Sequence, residues 1–154
     1  ISNPVSVAPK TPAAASERGF LYIPRGLECS AMVRGTAEQV KNLPWSSIRR
    51  IVVSVGGGMT LAGILTGMER LPRDARCPVL GVQVGSRDTA KRLDAWAPTW
   101  WREVVELVAS PLRYTTIAST PPGVGFKLDG IYEAKAAAYL REGDLLWVSG
   151  IRPR

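Results

Sequence analysis

The sequence contains no histidine. Histidine is the commonest general base at neutral pH and the commonest zinc ligand, so both roles fall to other groups here. A Ser-His-Asp or Cys-His nucleophile is excluded within these residues. Only two cysteines occur, Cys29 and Cys77. They lie far apart and lack metal-ligand spacing, so no metal site is expected. With no basic start leading into an apolar stretch, no signal peptide is read, and the two thiols are expected to be reduced in a cytoplasmic protein. No apolar run reaches the roughly 18 residues of a membrane span. Acidic residues are also short, at 13 against 20 basic ones, which leaves a net charge of +7. The basic residues are dispersed and no nucleic-acid-binding motif accompanies them. The excess reads as a solvated arginine-rich surface, with attraction to nucleic acid, another anion or an acidic partner as the alternative.

What is present is the composition of a globular chain: 154 residues, 45% hydrophobic and 21% charged. That length suits one domain with a sizeable core. Residues 1–18 (ISNPVSVAPKTPAAASER) are rich in Pro, Ala and Ser, and read as an extended arm or linker. Residues 19–154 read as one α/β domain. Short strands are expected at 19–24, 48–55, 78–84, 103–109 and 144–150, and helices at 30–42, 59–70, 86–96 and 128–143. Ser30 is expected as a cap of helix 30–42, and Ser86 or Asp88 near the start of helix 86–96. The run IRRIVVSV (48–55) has the near-continuous β-branched character of a parallel strand covered on both faces. Residues 110–128 carry three prolines and two glycines, and loops of this length are often functional. Such alternation predicts a three-layer, mainly parallel, doubly wound sheet with helices on both faces. Ligands in such sheets bind beyond the carboxyl ends of the strands. Three places qualify: the loop after 48–55, the start of helix 128–143 and the end of strand 144–150.

The first of these holds Gly56-Gly57-Gly58-Met59-Thr60. Three glycines after a buried strand remove every Cβ from the turn, so anionic oxygens can approach main-chain amides. The helix that follows aims its free N–H groups and dipole at the same spot. Thr60 can add a hydroxyl, and Gly63 is expected to let helix and sheet approach. The pattern is neither a Walker A loop nor the spaced dinucleotide fingerprint. It reads as a phosphate or carboxylate cradle.

The segment VGGGMTLAG (55–63) resembles the phosphate-binding loop of fold-type II pyridoxal-phosphate (PLP) enzymes, the tryptophan synthase β-like superfamily. YIPRGLECSAMVRGTAEQV (22–40), VLGVQVG (79–85), LDGIYEAKAAAYL (128–140) and WVSGIRPR (147–154) resemble, in order, elements of its ACC deaminase and D-cysteine desulfhydrase branch. The resemblance implies part of a fold-type II large domain with PLP as cofactor. It also implies lyase or deaminase chemistry on an amino-acid-like substrate. It assigns Gly56, Gly57, Gly58, Met59 and Thr60 to the cofactor phosphate. Glu133 or Ser149 would contact the pyridine nitrogen, and Tyr132 would sit near the substrate as the catalytic candidate. Met59 and Ala134 stand where the branch has smaller residues.

The resemblance covers the later half of such enzymes, whereas their Schiff-base lysine lies in the earlier half. None of Lys10, Lys41, Lys91, Lys127 and Lys135 sits in a segment like that lysine motif. Three readings stay open: one subunit of a split enzyme, a piece of a longer protein, or a non-catalytic relative acting in assembly or in binding nucleotide or nucleic acid. An obligate partner is expected, either a second polypeptide or a copy of this chain. Trp45, Trp96, Trp100 and Trp101 are candidates for the shared face.

Overall fold

The structure, a computed structural model, describes residues 25–85 and 88–149, together with Ala13, Ser16 and Glu17. The expected strand 19–24, nearly all of the arm over 1–18, Ser86 and residues 150–154 lie outside the described residues. The described elements are α1 (Ser30–Val40), β1 (Arg50–Val55), α2 (Met59–Met68), β2 (Val79–Gln83), α3 (Thr89–Trp96), β3 (Val105–Ala109), α4 (Glu133–Ala137) and β4 (Asp144–Trp147). Short 3-10 turns lie between several of them. The four strands form one sheet in the order β3-β2-β1-β4, and every pairing is parallel. The expected α/β architecture is therefore present, with element ends shifted by a few residues.

The strand order explains the two helical layers. From β1 the chain steps to β2 and on to β3, carrying α2 and α3. It then reverses and returns across the sheet to β4, on the other side of β1. Right-handed crossovers place helices on opposite faces when the direction of travel reverses. Alternation along β1 serves both faces. Ile51, Val53 and Val55 join Ile64, Leu65 and Leu93 in one core cluster, while Val52 packs with Leu80, Val82 and Ala136 in another. β1 is buried along almost its whole length, whereas β3 and β4, the outer strands of this sheet, are only partly buried.

Three local expectations need correction. Ser30 is the first helical residue of α1; Cys29 holds the cap position and makes no side-chain capping bond. Gly63 faces a helix rather than the sheet: a Cβ there would lie 2.4 Å from Thr36 Cβ and 2.9 Å from Val33 O. Gly67, one turn on, meets Val40 Cβ and Ala37 O in the same way. These two glycines let α1 press onto α2, which is why α2 is apolar nearly all round. The helix expected over 128–143 is regular only from Glu133 to Ala137. Asp129 Oδ1 accepts the amides of Ile131 and Tyr132 and holds a turn ahead of it. Beyond it, Tyr139 N and Leu140 N donate three residues back, and Gly143 has φ 83°.

The tryptophans do not form an exposed face. Trp101 is buried, and Trp45, Trp96 and Trp100 pack half-buried against the first core cluster. Trp101 Nε1 donates to Asp94 at 3.0 Å, and the Arg76 guanidinium lies 4.0 Å from the Trp100 ring centre. Both cysteines are free and half-buried, and burial pushes the Cys77 thiol up.

The amino-terminal ends of β1 and β4 are tied by Arg50, whose Nη2 donates to Asp144 Oδ2 at 2.5 Å and Nε to Oδ1 at 3.2 Å. Burial opposes the Asp144 charge, but these bonds and the Arg141 amide hold its carboxyl below the usual range. The pair therefore contributes fully above the ordinary carboxylate pKa of about 4, and its contribution is lost as pH falls through the lower folded value. Asp144→Asn is expected to cost roughly 1.5–3 kcal/mol at neutral pH, with a flatter acid limb in denaturant melts recorded against pH. Gly63→Ala is expected to cost about 1–2 kcal/mol in urea unfolding: crowding against α1 outweighs the helix propensity of alanine.

Candidate functional site

The three places selected by the strand-end rule come together. After Val55 the chain turns through Gly56, Gly57 and Gly58 into α2. Gly58 sits at the helix cap with φ 94°, a left-handed conformation that suits glycine. The first amides of α2 have no acceptor within the helix, so they leave that end of the loop electropositive.

A cavity of about 460 Å³ opens beside this loop. Gly56 and Gly57 wall it from β1, Gly85 from the end of β2, and Gly26 from the segment leading to α1. A Cβ on Gly57 would point into open space, with Gly26 O the nearest atom at 3.8 Å. Gly85 lies against the Gly56 backbone, 3.5 Å from its Cα to the position of an added Cβ. The cavity is thus a main-chain cradle that side chains would fill. Met59 and Arg92 also line it, and Arg92 is the one basic side chain among the described lining residues. Arg92 Nε lies 3.5 Å from Glu28 Oε2, while its Nη1 is buried without a hydrogen-bond partner.

Tyr132 closes the cavity from the α4 side. A Cβ on Gly56 would lie 3.0 Å from Tyr132 Cε1, so any larger residue there would push the ring back by a few tenths of an ångström. The Tyr132 hydroxyl meets the Tyr114 hydroxyl at 3.1 Å, and the rings pack edge to face with centres 5.9 Å apart. Burial, then the Tyr114 hydroxyl bond, pushes the Tyr132 phenol up to about 12. It therefore stays protonated through the physiological range.

Glu133 is buried beside it, 4% exposed. Its Oε1 accepts the amide of Ser149 at 3.3 Å, so the two residues expected as alternatives at the pyridine nitrogen are direct neighbours. Thr60 and Ser149 line a second, smaller cavity of about 180 Å³ next to α1 rather than the glycine-walled one. Gly58 is buried against Thr89, whose Cγ2 would lie 3.5 Å from an added Cβ. Six of the eight expected site residues thus line one of two spaces, and Gly58 and Glu133 line neither. Gly56, Gly57, Met59 and Tyr132 line the larger, and Thr60 and Ser149 the smaller.

Tyr114, Arg92, Glu28 and the facing glycines Gly26 and Gly85 were not singled out in the sequence. Tyr114 lies in the long loop whose length alone marked it. The others are brought in by strand order, which no local pattern encodes. No lysine among the described residues lines the larger cavity.

No protein-family model and no curated protein matches the chain. Among solved structures it matches an ACC deaminase homologue with TM-score 0.64 and 22% identity, over 85% of this chain and 49% of that one. The chain has the fold of the ACC deaminase homologue. It spans about half that protein's length. The processed form of threonine deaminase isoform 2 from Solanum lycopersicum also matches, at TM-score 0.40 and 19% identity, over 88% of this chain and 34% of that one. At the level of fold, the likeness to the ACC deaminase homologue agrees with the fold-type II architecture expected from the glycine loop and its flanking elements.

Replacing Tyr114 by Phe removes a bond that favours the neutral Tyr132 phenol. Tyrosinate absorbance titration is expected to show Tyr132 moving from about 12 toward its ordinary 10.0, stopping short because burial remains.

Proposed function

We propose that this chain supplies the phosphate-holding part of a PLP-dependent enzyme of the lyase or deaminase type. The reacting lysine would come from outside the described residues, on a second polypeptide or another stretch of sequence. The observation that carries this reading is the glycine-walled cradle at the strand carboxyl ends, with Tyr132 on its rim and the Glu133 carboxylate one residue away. The fold shared with an ACC deaminase homologue supports it.

Bound PLP would provide an electron sink for charge developing on an amino-acid-like substrate. The chain's own residues divide the remaining work. Main-chain amides at Gly56, Gly57 and Met59 hold the phosphate, aided by the α2 terminus. Arg92 lies in the same cavity, ion-paired with Glu28, and offers its unpartnered Nη1 as a donor. Thr60 approaches from the smaller cavity. The Glu133 carboxylate, with Ser149 at its oxygen, favours a proton on the pyridine nitrogen. The Tyr132 hydroxyl keeps its proton near the substrate position. Lys135 cannot take the part of the reacting lysine in this arrangement, because its ammonium is bonded to main-chain carbonyls.

The purified chain is expected to bind PLP in competition with inorganic phosphate. A visible band from the bound cofactor should develop only when the lysine-bearing partner is added. Gly57→Asp places a carboxylate in the cradle and should weaken PLP binding at least about tenfold, or ~1.4 kcal/mol, in a fluorescence titration. The reading fails if the wild-type chain with its partner shows neither the band nor phosphate-sensitive binding.

A further inference from the structure

The loop after β3 crosses the site with few attachments. Residues 111–117 are all exposed. At one end Ser110 N donates to Gln83 O, and at the other Ala118 N donates to Gly130 O at 2.8 Å. Between them, and among the described residues, the other hydrogen bonds stay within the loop, such as Thr116 N to Arg113 O, except at two points. One is the Tyr114–Tyr132 hydroxyl pair. The other is Lys135, whose Nζ donates to Arg113 O at 2.7 Å and to Tyr114 O at 3.1 Å.

Lys135 is 2% exposed, with buried alanines on either side of it in sequence at 134, 136 and 137. A buried ammonium is costly unless its donors are satisfied. An apolar residue of similar length would fill the space without that cost, so packing does not account for a lysine there. Its position does give it a use. Lys135 follows Tyr132 by three residues, the spacing that puts side chains on one helical face. Tyr132 touches the Tyr114 side chain while Lys135 holds the Tyr114 backbone.

We propose that Lys135 is a positioning residue: its ammonium, bonded to two successive carbonyls, holds Tyr114 against Tyr132 on the rim of the glycine-walled cavity. Tyr114 lines that cavity and is half exposed. Releasing its backbone would move one wall of the binding space and uncover Tyr132. The inference rests on the cavity being the ligand site, but its test needs no cofactor. Failure to bind PLP would leave the result here intact, and the reverse also holds.

Tyrosinate titration of the whole chain reads the state of Tyr132, whose neighbours are Tyr114 from the loop and Asp129 and Glu133 from its own segment. In Lys135→Met, Tyr132 should fall from about 12 toward 10.0, at least as far as in Tyr114→Phe, because burial is relieved as well as the hydroxyl bond. Lys135→Arg, which keeps the charge and donors on a bulkier head group, should restore the wild-type titration in part. Trypsin cleavage after Arg113 should become roughly tenfold faster in Lys135→Met and not in Lys135→Arg. A folded Lys135→Met with Tyr132 still titrating near 12 and Arg113 no more cleavable would overturn the proposal. If the methionine variant does not fold, Lys135→Gln is read by the same two measurements. Failure of both to fold would also overturn it, because the lysine would then hold the domain rather than the loop.

Discussion

β1 is hydrogen-bonded on both sides, to β2 from Ile51 to Val55 and to β4 from Arg50 to Val53. Each part of the site hangs from that double pairing. The strand delivers Gly56 and Gly57 to the carboxyl edge of the sheet. Pairing with β2 sets Gly85 opposite them, and pairing with β4 sets Ser149 beside Glu133. Reversal of chain direction between β3 and β4 leaves a crevice next to β1, where ligands of doubly wound sheets bind. A one-residue slip in either pairing would exchange the faces of a whole strand and disperse these groups.

Much of the scaffold was legible because each element carries its own period or punctuation. The β-branched run of β1 and the glycine triplet mark boundaries by local physics, and the structure keeps them. The α4 region was harder to read. EAKAAAYL has good helix formers, but the Asp129 side chain captures two amides ahead of it, and tightened bonds follow Ala137. Tertiary demands override propensity there. Gly63 illustrates a different limit: sequence shows that something approaches closely, but not whether it is a strand or a helix. The tryptophans show a third. An apolar residue in half of an expected core reads as exposed, yet Trp96, Trp100 and Trp101 stack under arginines or donate to Glu28 and Asp94 within this chain.

The site was legible as a set of residues and less so as a geometry. Gly56, Gly57 and Tyr132 were chosen on separate grounds and prove to be in contact or adjoining. Glu133 and Ser149 are alternatives by sequence and prove to be bonded. Tyr114 and Lys135 could not be paired from sequence, because the contact spans 21 residues of irregular chain with no repeating pattern.

The Arg50–Asp144 tie joins residues 94 positions apart. Closing a loop of that length costs more entropy than forming the β1-α2-β2 unit, and non-local strand pairing is slow compared with local contacts. The order of assembly follows. The glycine turn and α2 can take shape before β4 pairs with β1, since α2 packs mainly on α1. Tyr132, Glu133 and Ser149 arrive with the last strand. In folding, the glycine-walled loop therefore forms first, and Tyr132, Glu133 and Ser149 are set beside it when β4 pairs with β1.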